Sequence, residues 1–210
     1  MNGATIQARI NTGLATASRF IGLPHNQYRP LGISNPISIG NLLGSMLCSF
    51  NIRGSYSGQV MQNQLFWQGI LPRGLLQLGD YLVGQYTYCI VGLDALLPPI
   101  ALRCTQSLSF SRVAIQQGAG LQAYQDLKAT TVYAANVLGV LTQKKESGAP
   151  RTGLPGDAAL RAFFEANFYL PDGTVQMRDF VTDENGQKYQ VVSCSFGLLG
   201  YQALLEIVEA

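Results

Sequence analysis

The sequence predicts a mainly β protein (α+β): a small β-barrel-like body carrying an N-terminal amphipathic helix and an extended arm. Three observations point there. Short runs of β-branched, aromatic and aliphatic residues are bounded by glycine, proline and polar turns, which is strand patterning. A single helical stripe opens the chain. A strand–turn–strand block, Asp80-Tyr81-Leu82-Val83 then Tyr88-Cys89-Ile90-Val91, has an echo about a hundred residues on, Asp179-Phe180-Val181-Thr182 then Tyr189-Gln190-Val191-Val192. Each block reads as a β-hairpin. The echo is either a duplicated β-unit or chance, since such patterns recur in any β protein.

In chain order, Ile6, Ile10, Leu14, Ala17 and Ile21 recur at steps of three and four, predicting a helix over 3–22 with Arg9 and Arg19 off the apolar stripe. Gly22 and Pro24 supply the stop. That stripe needs a surface to dock on, either the β-body or a neighbouring subunit. From His25 to Pro36 the prolines and Gly32 exclude long regular structure. Gln27-Tyr28-Arg29-Pro30 reads either as a strapped-down linker or as an arm reaching another subunit. Residues 37–78 alternate, with Leu65-Phe66-Trp67 a strand before the turn at Gly69 to Pro72. Ile100 to Arg112 reads as one long strand, and Thr130 to Leu141 as another. Gln116 to Gly120 is a loop. Gln143 to Asp157 is an exposed connection and the best boundary. Phe163 to Leu170 is a strand closed by the Pro171-Asp172-Gly173 turn. Asn185-Gly186 favours a type I′ turn, and a last strand spans Tyr201 to Val208, its alternation broken at Leu204-Leu205. The resulting division is 1–36 helix and arm, 37–142 first β-unit with an irregular insertion, and 143–210 second β-unit.

Composition narrows the function. Apolar residues make up 47% and charged residues only 12% of the 210. A lone monomer is thereby short of polar surface, which favours burial against partners. No apolar run reaches the ~18–20 residues of a membrane span, and no secretory leader is expected from the N-terminus. Cys48, Cys89, Cys104 and Cys194 lack disulfide or zinc spacing and read as buried thiols. Residues 1–79 hold five arginines and no carboxylate, whereas 80–210 are net acidic. Such a basic half can follow phosphates or complement an acidic partner.

The motifs for chemistry are sparse. The single histidine, His25, has no nucleophile paired with it in any recognised motif, and no phosphate-binding or dinucleotide glycine motif occurs. Asp80 and Asp179 occupy matching places in the two hairpin blocks. Paired carboxylates can run glycoside chemistry, but an aspartate at a strand start more often holds backbone N–H groups. Tyr28-Arg29, Arg53 with Tyr56, and Arg19-Phe20 combine aromatic and basic groups without forming a nucleic-acid module. No cofactor or metal site is expected.

The opening Met1 to Arg9, Gln27-Tyr28-Arg29-Pro30, Gly79 to Val83, Leu96-Leu97-Pro98 with Arg103-Cys104, Gly153-Leu154-Pro155-Gly156-Asp157, and the Asp179 to Tyr189 block resemble a family of uncharacterised tailed-phage and prophage virion proteins. Residues 113–145 depart from the family pattern. The resemblance implies a non-enzymatic virion component assembled in the bacterial host cytoplasm, in a neck, collar or head–tail connector ring. A baseplate or tail-tube-adjacent position is the alternative, and a β-fold cell-wall hydrolase a further one. It also implies partners: the chain itself as a ring-forming homo-oligomer, neighbouring neck or tail proteins, and passing genomic DNA bound without sequence specificity, but no membrane. Arg9 and Arg19 are then candidates to face the lumen and DNA. Ile6, Ile10, Leu14, Tyr28, Arg29 and Pro30 are the candidate subunit-contact residues.

Overall fold

In the computed structural model, residues 2–52, 65–116, 124–144 and 163–208 are described. Asn2 starts the expected helix, α1 (Gly3–Ile21), its side-chain oxygen accepting the Ala4 N–H at 3.0 Å. Asparagine is a strong N-cap because it satisfies an orphan donor. Gly22 ends the helix with ordinary negative φ, so its role is proximity: a Cβ there would meet the Ser18 carbonyl oxygen at 2.3 Å and the Cys48 amide at 2.9 Å. That approach rotates the buried face. Ser18 is fully buried, Ile10, Leu14 and Ala15 are half-buried, and the expected stripe members Ile6 and Ile21 are exposed. Small residues let the helix descend onto the sheet, and that descent decides the face.

The strands then follow as β1 (Leu23–Tyr28), β2 (Leu42–Ile52), β3 (Phe66–Ile70), β4 (Tyr81–Val83), β5 (Thr87–Gly92) and β6 (Ile100–Cys104). They close an antiparallel barrel in the order β1-β2-β3-β6-β5-β4. Next come β7 (Gln106–Gln116), β8 (Tyr124–Lys144), β9 (Phe163–Phe168), β10 (Phe180–Thr182), β11 (Lys188–Gly197) and β12 (Gly200–Ile207). They close a second barrel in the order β7-β8-β9-β12-β11-β10. The topology is the same strand for strand, so the two β-units expected from the hairpin echo are two barrels of one design. Even the irregularities repeat. The β5–β6 ladder slips between Ile90 and Gly92, and the β11–β12 ladder slips between Val191 and Ser193. Sequence carries the same signal more widely than the hairpins do: Leu71, Pro72, Gly74, Gln77 and Asp80 recur in identical spacing as Leu170, Pro171, Gly173, Gln176 and Asp179.

Three expectations change. The long strand from Ile100 is two strands, divided at Thr105, whose N–H turns to the Gly139 carbonyl of β8 at 2.9 Å. Strand propensity runs through this point without a break; the pairing partner changes, and with it the barrel. The boundary between β-units therefore falls at Thr105, not at 143, and residues 106–116 and 124–144 are wall strands of the second barrel rather than an insertion in the first. Thirdly, the Asn185-Gly186 turn is not type I′, because only Gly186 takes a positive φ (82°). The Asp183 carboxylate accepts the Asn185 and Gln187 N–H groups and sets the turn instead. The expected Gln116 to Gly120 loop lies outside the described residues apart from Gln116. The Gln143 to Asp157 connection does so apart from its first two residues.

Each barrel is filled by its own inward residues. Leu82, Tyr88, Ile90 and Cys48 line the first, and Leu108, Phe110, Phe168 and Leu205 the second. Phe50 and Tyr88 stack with ring centres 3.8 Å apart, and Phe168 stacks on Tyr201 at 5.3 Å.

The seam that closes each barrel is short, three residue pairs between β1 and β4 and three between β7 and β10. An arginine–aspartate pair extends each seam by one rung. Past Tyr28↔Tyr81, Arg29 grips Asp80 through two bonds of 2.8 Å. Past Ser111↔Phe180, Arg112 grips Asp179 through two bonds of 2.7 Å. Both carboxylates are buried. Removing an arginine leaves a buried charge uncompensated, a loss of about 3–5 kcal/mol. Arg29→Met is expected to lower unfolding free energy by that amount in urea titration. Arg112→Met should cost somewhat less, its guanidinium being the more exposed of the two. Arg29→Met combined with Asp80→Asn should recover much of the loss, the neutral amide keeping an acceptor for Gln77 N–H and Gln27 Nε2; a double variant as unstable as the single one would refute the latch as the cause.

Candidate functional site

The two aspartates singled out as paired carboxylates are built into separate barrels by the same local structure. In each, the chain makes a tight turn before the strand, so that the aspartate's own carboxylate accepts the backbone N–H three residues earlier. Asp80 takes Gln77 N–H and Asp179 takes Gln176 N–H, both at 2.8 Å. The residue before the aspartate adopts positive φ, 83° at Gly79 and 72° at Arg178. A further donor completes each set: Gln27 Nε2 at 2.7 Å for Asp80 and Tyr133 Oη at 2.8 Å for Asp179. Burial and the bond to Asp179 hold the Tyr133 hydroxyl well above its ordinary range. Every strong acceptor direction is thus engaged by the fold, and the pair does structural work in both places.

The surface that joins the barrels is built from unlike faces. The outer sides of β4, β5 and β6 present Tyr81, Cys89, Val91, Leu102 and Cys104. Val140 and Leu138 of β8, Tyr169 after β9, and Leu199 at the β11–β12 turn cover them. Contact is close enough that a Cβ on Gly79 would meet the Tyr169 ring at 2.6 Å. At the equivalent place on the second barrel Arg178 is exposed, so a side chain is tolerated there. Beside this interface lies a cavity of about 310 Å³ walled by Arg29, Pro30, Leu31, Ile33, Tyr81 and Tyr169 among others. Among the described residues its one charged wall group is Arg29, which is already bound to Asp80.

The candidate arm is not a free projection. Tyr28 ends β1 and packs in the interface cluster, Arg29 is the latch, and Pro30 lines the cavity. Beyond them the chain straps the second barrel. Asn35 N–H bonds to the Ala135 carbonyl at 2.8 Å, Ala135 N–H to Ser34 Oγ at 3.0 Å, and Asn136 Nδ2 to Asn35 Oδ1 at 2.5 Å. Asn35 and Asn136 both have positive φ, which asparagine tolerates better than most residues. Of its two readings, strapped-down linker and arm reaching another subunit, the structure shows the strap: Ser34 and Asn35 fasten this chain's own two barrels.

The other candidates divide. Ile10 and Leu14 face the body; Ile6, Arg9 and Arg19 face outwards, and Phe20 is 83% exposed next to Arg19. Arg53 and Tyr56 lie outside the described residues. Arg103, not among the candidate site residues, stacks over Tyr86 at 3.8 Å and near Trp67 at 5.6 Å, a cation–π arrangement at one barrel mouth. His25 is buried, with Nδ1 2.9 Å from the Leu23 carbonyl and its ring edge-on to Phe50. Among the described residues no group of three or more His, Cys, Asp and Glu could hold a metal ion, and no helix is long and apolar enough to cross a membrane.

Burial pushes the Cys48 and Cys104 thiols up to about 12, and Cys89 well above its ordinary value. Folding therefore favours the protonated thiol. That contribution is whole below the unfolded value near 9 and is lost as pH rises through 9 towards 12. The urea midpoint should hold up to about pH 9 and then fall, less steeply in Cys104→Ala. A wild-type midpoint that rises over this window would reverse the sign argued here. Gly79→Ala should cost about 1–3 kcal/mol, since strained backbone and the Tyr169 contact combine. Arg178→Gly should be close to neutral in the same assay.

No family model matches this chain, and neither a curated protein nor a solved structure is significantly similar to it.

Proposed function

We propose that this chain is a non-enzymatic structural subunit of a tailed-phage virion, forming a neck, collar or head–tail connector ring. The observation that carries the reading is the joining of two like barrels by unlike faces. Contact between unlike faces leaves one of each unused at the ends, and such a contact builds a ring when its rotation closes. Closed barrels have no free strand edges, so association through faces is the route left open to them. The resemblance of the N-terminus, the Asp80 block and the Asp179 block to phage virion proteins supports the setting. The low charged fraction and the exposed apolar groups at the end of α1 support burial against neighbours.

In such a ring the chain contacts copies of itself and adjoining neck or tail proteins. Arg9 and Arg19, exposed on a helix without acidic residues, suit a lumen through which DNA passes, where phosphate attraction is independent of base sequence. The two latched aspartates serve barrel closure, which supports the structural reading over the carboxylate pair that the sugar-hydrolase alternative drew on.

The reading is tested on virions of the phage that encodes the chain, with an electron-dense label fused to its C-terminus. Label at the head–tail junction is the expected result. Label at the distal end of the tail would move the protein to the baseplate, and unlabelled virions would overturn the structural assignment.

A further inference from the structure

We infer that the outer β10–β11–β12 face of the second barrel receives the α1 side of a second copy of this chain, head to tail. The inference deepens the ring reading by naming both surfaces and the partner. It starts from the ladder registers. Tyr81↔Cys89 corresponds to Phe180↔Gln190, and Cys89↔Leu102 to Gln190↔Glu206. Gly92↔Ile100 corresponds to Ser193↔Leu204, with the bulged Val91 and Val192 in matching places. The residues that bury the first barrel's outer face therefore have named counterparts on the second: Phe180, Val192 and Leu204 are apolar, and Gln190 and Glu206 are polar.

The two faces differ in what covers them. Tyr81 and Val91 are buried beneath the second barrel, while their counterparts Phe180 and Val192 are half-buried and exposed respectively. An apolar centre with a polar margin is the composition of an interface between separately folded chains. The opposite surface is equally marked. The second barrel covers the first with β8 and β9; the corresponding strands of the first barrel, β2 and β3, carry α1. A subunit continuing the intramolecular arrangement would meet α1 there, where the helix end exposes Phe20 and Ile21 and the start of β1 exposes Leu23.

Charge agrees with this polarity. Residues 1–104 hold six basic and two acidic side chains, and residues 105–210 hold eight basic and ten acidic. Successive copies placed first barrel to second barrel bring the basic half to the acidic half. Like-to-like pairing would set equal charges together, which suppresses that alternative. The contact is heterologous, so it makes a ring where its rotation closes and a filament where it does not.

The test uses Phe20→Glu and Val192→Glu in the full chain, with mass read by light scattering after size exclusion. Both residues are exposed, so circular dichroism and Tm should match wild type; Ile21→Glu and Phe180→Glu are second variants for either surface. Each variant alone should lose assembly and run as a monomer. Mixed in equal amounts they should form a dimer and nothing larger, because each retains the surface the other lacks. Wild-type-sized assemblies from either variant, no dimer in the mixture, or a wild-type chain that stays monomeric and cannot be cross-linked to itself in virions would overturn the interface. Label at the head–tail junction together with variants that assemble normally would leave the ring reading standing without this contact. The expected dimer together with unlabelled virions would keep the contact and remove the virion.

Discussion

A buried carboxylate at the closing seam of each barrel is the constraint on which the rest depends. Three ladder pairs are little to close a barrel, and the strands on either side of the seam are far apart in sequence. Arg29 precedes Asp80 by 51 residues, and Arg112 precedes Asp179 by 67. An aspartate in such a wall is tolerable only when its charge and lone pairs are met. That requirement selects one register: shifting β1 against β4 by a residue would turn Arg29 to the other face and leave Asp80 unpaired. The latch adds specificity of closure beyond its contribution to stability. Its recurrence in the second barrel, with the same backbone N–H donor three residues earlier, indicates one solution used twice.

Once both barrels close in one register, their outer faces are fixed and can be specialised separately. The first barrel's β4–β5–β6 face has become core, apolar throughout and reached by Tyr169, Val140 and Leu199. The corresponding face of the second keeps the apolar centre but carries Gln190 and Glu206 where the first has Cys89 and Leu102. The contrast at Gly79 and Arg178 has the same origin. Both positions need positive φ for the turn, but only Gly79 lies beneath an aromatic ring. Glycine is retained where a neighbouring barrel adds a steric demand to the backbone one, and arginine is accepted where solvent replaces that neighbour.

Much of the local structure was legible in the sequence. The helix, both hairpins and the Pro171-Asp172-Gly173 turn follow from spacing and turn chemistry, and the echo of Asp80 in Asp179 marked the repeated unit. What escaped was set by distant partners. Nothing near Thr105 signals that its N–H will leave one barrel for another, so the strand through it reads as continuous. The arginines of the latches look like surface charges until the chain closes. The helix was assigned its face from large apolar residues, whereas close approach of Ser18 and Gly22 to β2 decided it. The choice between the arm's two readings was not legible because Ser34 and Asn35 bind Ala135 and Asn136, a hundred positions away.

The break in alternation at Leu204-Leu205 shows how a departure from pattern can itself be informative. Neighbours on a strand face opposite ways. Leu205 fills the second barrel, so Leu204 must point outwards. A strand with one face in water would place a polar residue there, whereas a strand buried on both faces reads as consecutive apolar residues. β5 is the second kind: Tyr88, Cys89, Ile90 and Val91 are all buried, the even positions inside the barrel and the odd ones against its neighbour. β11 runs Tyr189-Gln190-Val191-Val192, apolar inwards and mixed outwards. It stands between a solvated strand and a core strand, the pattern that the proposed contact with a second copy would call for. Burial within one chain permits an all-apolar face from the start of folding; in the proposed contact with another copy, Gln190 and Glu206 would form the polar margin.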